Sequence, residues 1–206
     1  MLLSRPFVAV TPTIDGDVLT VLARADAAFT PPQIRDLIDM HSVEGVRNVL
    51  GRLTHQGVVT RERTGNAYAY RLNRDHVAAE HIIGLASSGT EVLERMRHQL
   101  ATWPLQCEYA ALFGSAATRT MSEDSDLDVL IVRPDAVDVE VDMSWHDQVD
   151  EFARASTSWT GNDTRVLELS AAEVAKGCGS ERVLSDIERD GIALAGPPDY
   201  LTRCRQ

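Results

Sequence analysis

CEYAALFGSAATRTMSEDSDLDVLIVRP, residues 107–134, sets two apolar runs around a polar hinge. The first run, Cys107 to Phe113, has the length and continuity of a buried strand and stops abruptly at Gly114-Ser115. The second, Leu127 to Val132, is another strand, apolar apart from Asp126 and Asp128 near its start. Side chains two residues apart on a strand share a face, so the two carboxylates stand side by side. Carboxylates so close repel and raise one another's pKa unless a cation holds them, and an oxygen-only pair suits Mg²⁺ or Mn²⁺. Upstream, Gly114 lets the backbone approach a ligand, Ser115 offers a hydroxyl, and the turn into a short helix presents free amides to an anion. A triphosphate bridged by metal fits between the two elements.

The pattern of Gly114-Ser115, ten residues, then Asp126-Leu127-Asp128 preceded by Ser125 resembles the signature of the DNA polymerase β-like nucleotidyltransferases, in particular their small minimal members. The likeness covers about residues 90–195. It implies that Gly114 and Ser115 hold the β- and γ-phosphates of an NTP, with Ser125 beside them, and that Asp126 and Asp128 ligate the catalytic metals. Such proteins usually add a third carboxylate from a later strand. TRVLELS at 164–170 reads as that strand, and Glu168 is its only acidic residue, hence the expected third ligand or proton acceptor; a solvent-facing strand glutamate is the alternative. One departure stands out. Relatives often have Arg-Gly at the fourth and fifth residues after the glycine, where this chain has Thr118-Arg119, so a differently shaped phosphate loop is expected, with Arg119 either on a phosphate or at the surface.

Downstream, a helix is expected at about 140–157, Ser170 to Glu173 is a capping-box pattern, and SERVLSDIERDGIAL at 180–194 reads as an amphipathic helix ending at Gly191. Upstream, residues 76–105 read as a helical connector that stops at Pro104 and is broken once by Gly84, Ser87, Ser88 and Gly89. Trp103, Trp145 and Trp159 read as core or boundary residues, although one of them could stack on a base.

The N-terminal grammar is different. Residues 17–29 read as a helix, Thr30 caps a second one through Pro31 and Pro32, and Ser42 opens a third whose stripe is Val43, Val46, Val49, Leu50 and Leu53. After Gly57 the period changes to that of strands, VVTRER and AYAYRLN around the turn at 64–66. Three helices and a hairpin over residues 15–75 resemble the winged helix-turn-helix family. That resemblance implies a third helix in the major groove of double-stranded DNA, carrying Arg47 and Arg52, and a wing along the phosphates, carrying Arg61 and Arg63. Winged helices also serve as protein-docking or dimerisation modules, and a homodimer on two half-sites is the expected DNA-bound form.

Composition suits a globular protein with a real core: 44% of residues are hydrophobic and 25% charged. The net charge of −11 is unevenly placed. Residues 1–80 hold nine arginines and nine acidic residues, so the whole excess falls on 81–206, which argues against that part gripping a long polyanion. Cys107, Cys178 and Cys204 show neither disulfide nor zinc spacing. No apolar run nears the ~18 residues of a membrane span, and the start is interrupted by Arg5 and Pro6; a cytoplasmic protein is expected.

The fold expected is α+β in two domains: a winged helix over 1–80, the connector over 81–105, and over 106–206 a nucleotidyltransferase mixed sheet flanked by helices. The activity expected is Mg²⁺- or Mn²⁺-dependent transfer of NMP from an NTP to an acceptor hydroxyl, coupled to transcription regulation through DNA. The alternatives are a nucleotide-sensing or catalytically silent regulator, and an antitoxin-like component of a two-protein system.

Overall fold

The computed structural model of the protein describes residues 1–38, 41–135 and 139–204, with the backbone alone at 139–142. The chain divides into two compact units, Leu2–Gly89 and Thr90–Gln206 with Met1.

In Leu2–Gly89, helices α1 (Ile14–Arg24), α2 (Pro31–Ile38) and α3 (Val43–His55) precede an antiparallel hairpin of β1 (Val59–Thr64) and β2 (Ala67–Leu72). Ser42 caps α3 by accepting from the Gly45 amide at 3.1 Å. The apolar stripe of α3 is what the unit is built on: Val46 and Leu50 are fully buried with Val18, Leu22 and Ile34. Each such side chain contributes about 1.5–3 kcal/mol through its burial. Helix α1 starts and stops earlier than the sequence pattern predicts. Phe29 and Tyr70 exchange backbone hydrogen bonds at 2.8 Å in both directions, which takes residues 25–29 out of the helix and against β2. Leu37 of α2 is exposed.

A single helix, α4 (Ala79–Ala101), runs unbroken through the stretch where a break was expected. Ser87 donates to Ile83 O and Ser88 to Gly84 O, so both hydroxyls find partners inside the helix. Gly89 answers to packing: a Cβ there would lie 2.0 Å from the Leu3 carbonyl oxygen, so its lack of a side chain allows the N-terminal segment to lie on the helix.

In Thr90–Gln206 the strands are β3 (Tyr109–Phe113), β4 (Leu127–Arg133), β5 (Thr164–Ser170) and β6 (Ile192–Ala195), in the order β5-β4-β3-β6. The sheet is mixed. Strand β3 runs antiparallel to both β4 and β6, while β4 and β5 are parallel, which requires the long crossover that α6 (Val139–Thr160) supplies. Short helix α5 (Gly114–Thr118) follows β3 directly, and α7 (Ala171–Gly177), α8 (Arg182–Asp190) and α9 (Tyr200–Arg203) complete the unit. Ser170 and Glu173 form the full capping box that opens α7. Leu130 and Val132 of β4 pack with Ala111, Val174, Leu184 and Ile187, placing α7 and α8 on that face. Residues 192–195, past the helix end expected at Gly191, form strand β6, taken up by the otherwise open edge of β3. Trp103 and Trp145 are buried edge to face, with ring centroids 5.5 Å apart. Among the described residues no helix is long and apolar enough to cross a membrane.

Candidate functional site

The register of three strands builds the site. Phe113, the last residue of β3, pairs with Asp128 of β4, so the chain turns at Gly114 directly beside the Asp128 carboxylate. Gly114 has φ +68°, and a Cβ on it would lie 2.7 Å from Asp128 Oδ2. Only glycine takes this backbone region without cost while leaving room for that carboxylate. Phe113, the N-cap of α5, provides no side-chain cap for its first turn. Ser115 is half-buried in the same corner.

Asp126 lies one residue before β4 and Asp128 one residue inside it, both partly exposed. Burial pushes the pKa of Asp128 up, the neighbouring Asp126 charge adds to this, and the Arg165 guanidinium partly offsets both. Two carboxylates that repel in a partly desolvated corner make a donor set suited to a divalent cation. Among the described residues no group of three or more acidic, histidine or cysteine side chains converges on a metal position. Two protein ligands nevertheless suit Mg²⁺, which usually takes one or two carboxylates and completes its shell with water and phosphate.

Glu168 is not brought to this pair. Its register partner is Ile131, three positions along from Asp128, or roughly 10 Å of strand. Three is odd, so Glu168 also points to the opposite face, where its Oε1 lies 3.5 Å from Arg133 Nε. The residue of β5 that stands level with Asp128 is Arg165, which sequence reasoning passed over. Arg165 Nη1 lies 2.7 Å from Asp126 Oδ2 and its Nε 3.6 Å from Asp163 Oδ2.

Ser125 is occupied in its own loop: its Oγ accepts from the Ser122 amide at 2.8 Å, and its carbonyl accepts from buried Asn162 Nδ2 at 2.8 Å. It shapes the approach to Asp126. Asn162, which the sequence reading missed, ties that loop to the turn before β5. Arg119, the C-cap of α5, has φ 61°, the left-handed region that glycine favours. An L-residue takes this conformation at a cost of about 1–2 kcal/mol. Its exposed side chain leaves from the rim of the site.

A cavity of about 590 Å³ adjoins the corner, lined by Phe113, Gly114, Thr118, Arg182, Val183 and Arg189 among others. Arg189 is held by Asp186 and Asp190 at 2.9 and 2.7 Å. A slightly larger one, about 620 Å³, lies between α4 and α6; neither Asp126 nor Asp128 lines either cavity, and only the first reaches Gly114. Trp159 lines this second cavity.

In the other unit, Arg47 and Arg52 lie on α3, and Arg61 and Arg63 on β1, all exposed. Arg47 pairs with Glu44 at 3.3 Å, Arg52 is ion-paired to Asp15 of α1, Arg61 stacks 5.0 Å over Tyr68, and Arg63 donates to Gly65 O.

Residues 103–168, which contain Gly114, Ser115, Asp126, Asp128 and Arg165, match the model of the nucleotidyltransferase domain family. Two similar solved structures are described as a toxin-antitoxin with AMP-PNP and a mutant of the toxin-antitoxin MntA-HpeT. They share 17% and 16% identity with this chain, at TM-scores of 0.38 and 0.39, and each alignment covers 55% of this chain and 80% of the other. Comparison with curated proteins gives no match.

Proposed function

We propose that the protein transfers a nucleoside monophosphate from an NTP to an acceptor hydroxyl at the Gly114 corner, and that its N-terminal unit, read as a winged helix, binds double-stranded DNA, with a homodimer on paired half-sites as the bound form. The observation that carries the first part is the approach of the Gly114 backbone to the Asp128 carboxylate, a gap that only a residue without Cβ leaves open. In this reading the α5 amides and Ser115 hold the outer phosphates, and Asp126 and Asp128 hold Mg²⁺ or Mn²⁺. The cation, once bound, neutralises phosphate charge and favours loss of pyrophosphate. The Asp pair thereby fixes the α-phosphorus for in-line attack by the acceptor oxygen.

A second reading, a regulator that binds nucleotide without turning it over, is favoured by one observation: a guanidinium rather than a third carboxylate stands level with Asp128. Incubation with each α-labelled NTP, Mg²⁺ or Mn²⁺ and candidate protein, RNA and small-molecule acceptors separates the two. Label transfer by wild type and none by Asp126→Asn/Asp128→Asn supports the enzyme. Tight metal-nucleotide binding without turnover supports the regulator. If wild type and double variant bind metal and nucleotide alike, both readings of the corner fail.

A further inference from the structure

We propose that Arg165 is a polyphosphate-binding residue parked on Asp126, which a divalent cation must displace and which then turns to the phosphates that arrive with it. This rests on the reading of the corner given above and deepens it.

The geometry comes from the parallel ladder. Asp128 and Arg165 are register partners, so their side chains leave the same face of adjacent strands, and the guanidinium reaches Asp126 Oδ2 at 2.7 Å. That oxygen belongs to the group expected to ligate the cation, so one position has two claimants. The existing pair is weak, because Arg165 is two-thirds exposed and an exposed ion pair contributes only about 0–1 kcal/mol. Asp163, its other neighbour among the described residues, is at 3.6 Å and itself solvent-facing, so it holds the side chain only loosely.

Charge decides the order of events. A divalent cation arriving alone must expel a guanidinium and then remain beside it, with solvent-facing Asp163 a weak receiver for the released charge. A polyphosphate arriving alone meets three carboxylates, Asp126, Asp128 and Asp163, and one guanidinium, a net repulsive corner. Arriving together, the cation takes the carboxylates and the guanidinium takes the phosphoryl oxygens, for which its planar fork is well matched. Metal and polyphosphate are thereby coupled, each strengthening the other by the same factor.

The test uses the full-length protein and two binding readouts. Free Mn²⁺ is measured by electron paramagnetic resonance during titration with the metal alone, and a fluorescent non-hydrolysable ATP analogue is titrated in the presence of Mg²⁺. Arg165→Gln is expected to bind Mn²⁺ alone about fivefold more tightly, the scale of an exposed ion pair removed. The same variant is expected to bind the Mg²⁺-analogue about tenfold more weakly, having lost a charge-assisted contact. Arg165→Lys should behave as wild type toward Mn²⁺ and fall between the two toward the analogue. The opposite signs are the signature, since a merely structural role for Arg165 would weaken both. Unchanged or weaker Mn²⁺ binding by Arg165→Gln, or undiminished analogue binding, overturns the proposal. Asp126→Asn/Asp128→Asn that binds Mn²⁺ like wild type would instead sink the underlying reading of the corner.

Discussion

A methyl group on Gly114 would meet Asp128 Oδ2 at 2.7 Å from a backbone already at φ +68°. Gly114→Ala therefore forces the carboxylate to rotate away and adds about 1–2 kcal/mol of backbone strain. The expected outcome is a melting temperature lowered by a few degrees with a far larger loss of Mn²⁺ affinity, at least about tenfold. Unimpaired Mn²⁺ binding in a calorimetric titration would separate Gly114 from the metal position. Arg119 is the converse case, an L-residue in a glycine conformation. Arg119→Gly should raise stability by up to about 1 kcal/mol, read from urea denaturation, because the strain relieved exceeds the entropy that glycine adds to the unfolded chain. A concurrent drop in nucleotide affinity would assign its side chain to a phosphate. These two positions differ in how far the sequence reveals them. The Gly114-Ser115 corner and the Asp126-Leu127-Asp128 pair are local patterns, and alternation alone puts both carboxylates on one face. Nothing in the local pattern around Arg119 shows that its φ is positive.

At the scale of elements, what local pattern cannot reach is register. TRVLELS is legible as a strand, and it forms β5 with those limits, but whether Arg165 or Glu168 stands level with Asp128 depends on how α6 delivers that strand to β4. A shift of one residue exchanges the faces, so the acidic residue that composition singles out ends up on Arg133. Strand β6 escaped for a similar reason: four residues after a helix acquire strand identity only from the free edge of β3. Helix α4 shows the reverse error, glycines read as breaks where the helix continues. The two glycines should respond oppositely to alanine. Gly84 has open space around it, so Gly84→Ala should stabilise by about 0.5–1 kcal/mol through helix propensity. Gly89→Ala brings a Cβ within 2.0 Å of the Leu3 carbonyl oxygen, a backbone atom that cannot rotate aside, and should destabilise despite the same propensity gain. Urea midpoints of the two variants check this, and stabilisation of both would mean the N-terminal segment does not lie on α4. Helix α1 carries the unit's main acid-sensitive contact. Burial raises the pKa of Asp17, but hydrogen bonds from Arg5 and His41 outweigh it and hold the folded value below the usual carboxylate range. The stability this gives is complete above the unfolded pKa of about 3.9 and is lost as pH falls through the lower folded value. Asp17→Asn should lower stability by about 1–3 kcal/mol at neutral pH, and the difference from wild type should shrink below about pH 4.

For the whole molecule, the charge division read from the sequence makes the DNA proposal quantitative. The N-terminal eighty residues are neutral overall, so affinity for DNA cannot come from net charge and must come from arginines placed to meet phosphates. The four candidates are not equivalent. Among the described residues, Arg61 and Arg63 of β1 have an aromatic face and a carbonyl as partners, whereas Arg52 is already ion-paired to Asp15 of α1 and must give up that pair to reach a phosphate. Affinity of the full chain for double-stranded DNA should therefore fall log-linearly with salt, with each true phosphate contact adding about 0.9 to the slope. Arg61→Ala and Arg63→Ala should each reduce the slope by about one, and Arg52→Ala should leave it nearly unchanged while lowering stability slightly. Gel-shift titrations between 50 and 200 mM salt, roughly the range over which such contacts are resolved, provide the measurement. Equal slopes for wild type and both β1 variants would exclude the hairpin from the DNA interface. A slope that responds to Asp126→Asn/Asp128→Asn instead would locate polyanion binding at the metal corner, where the acidic excess makes it least expected.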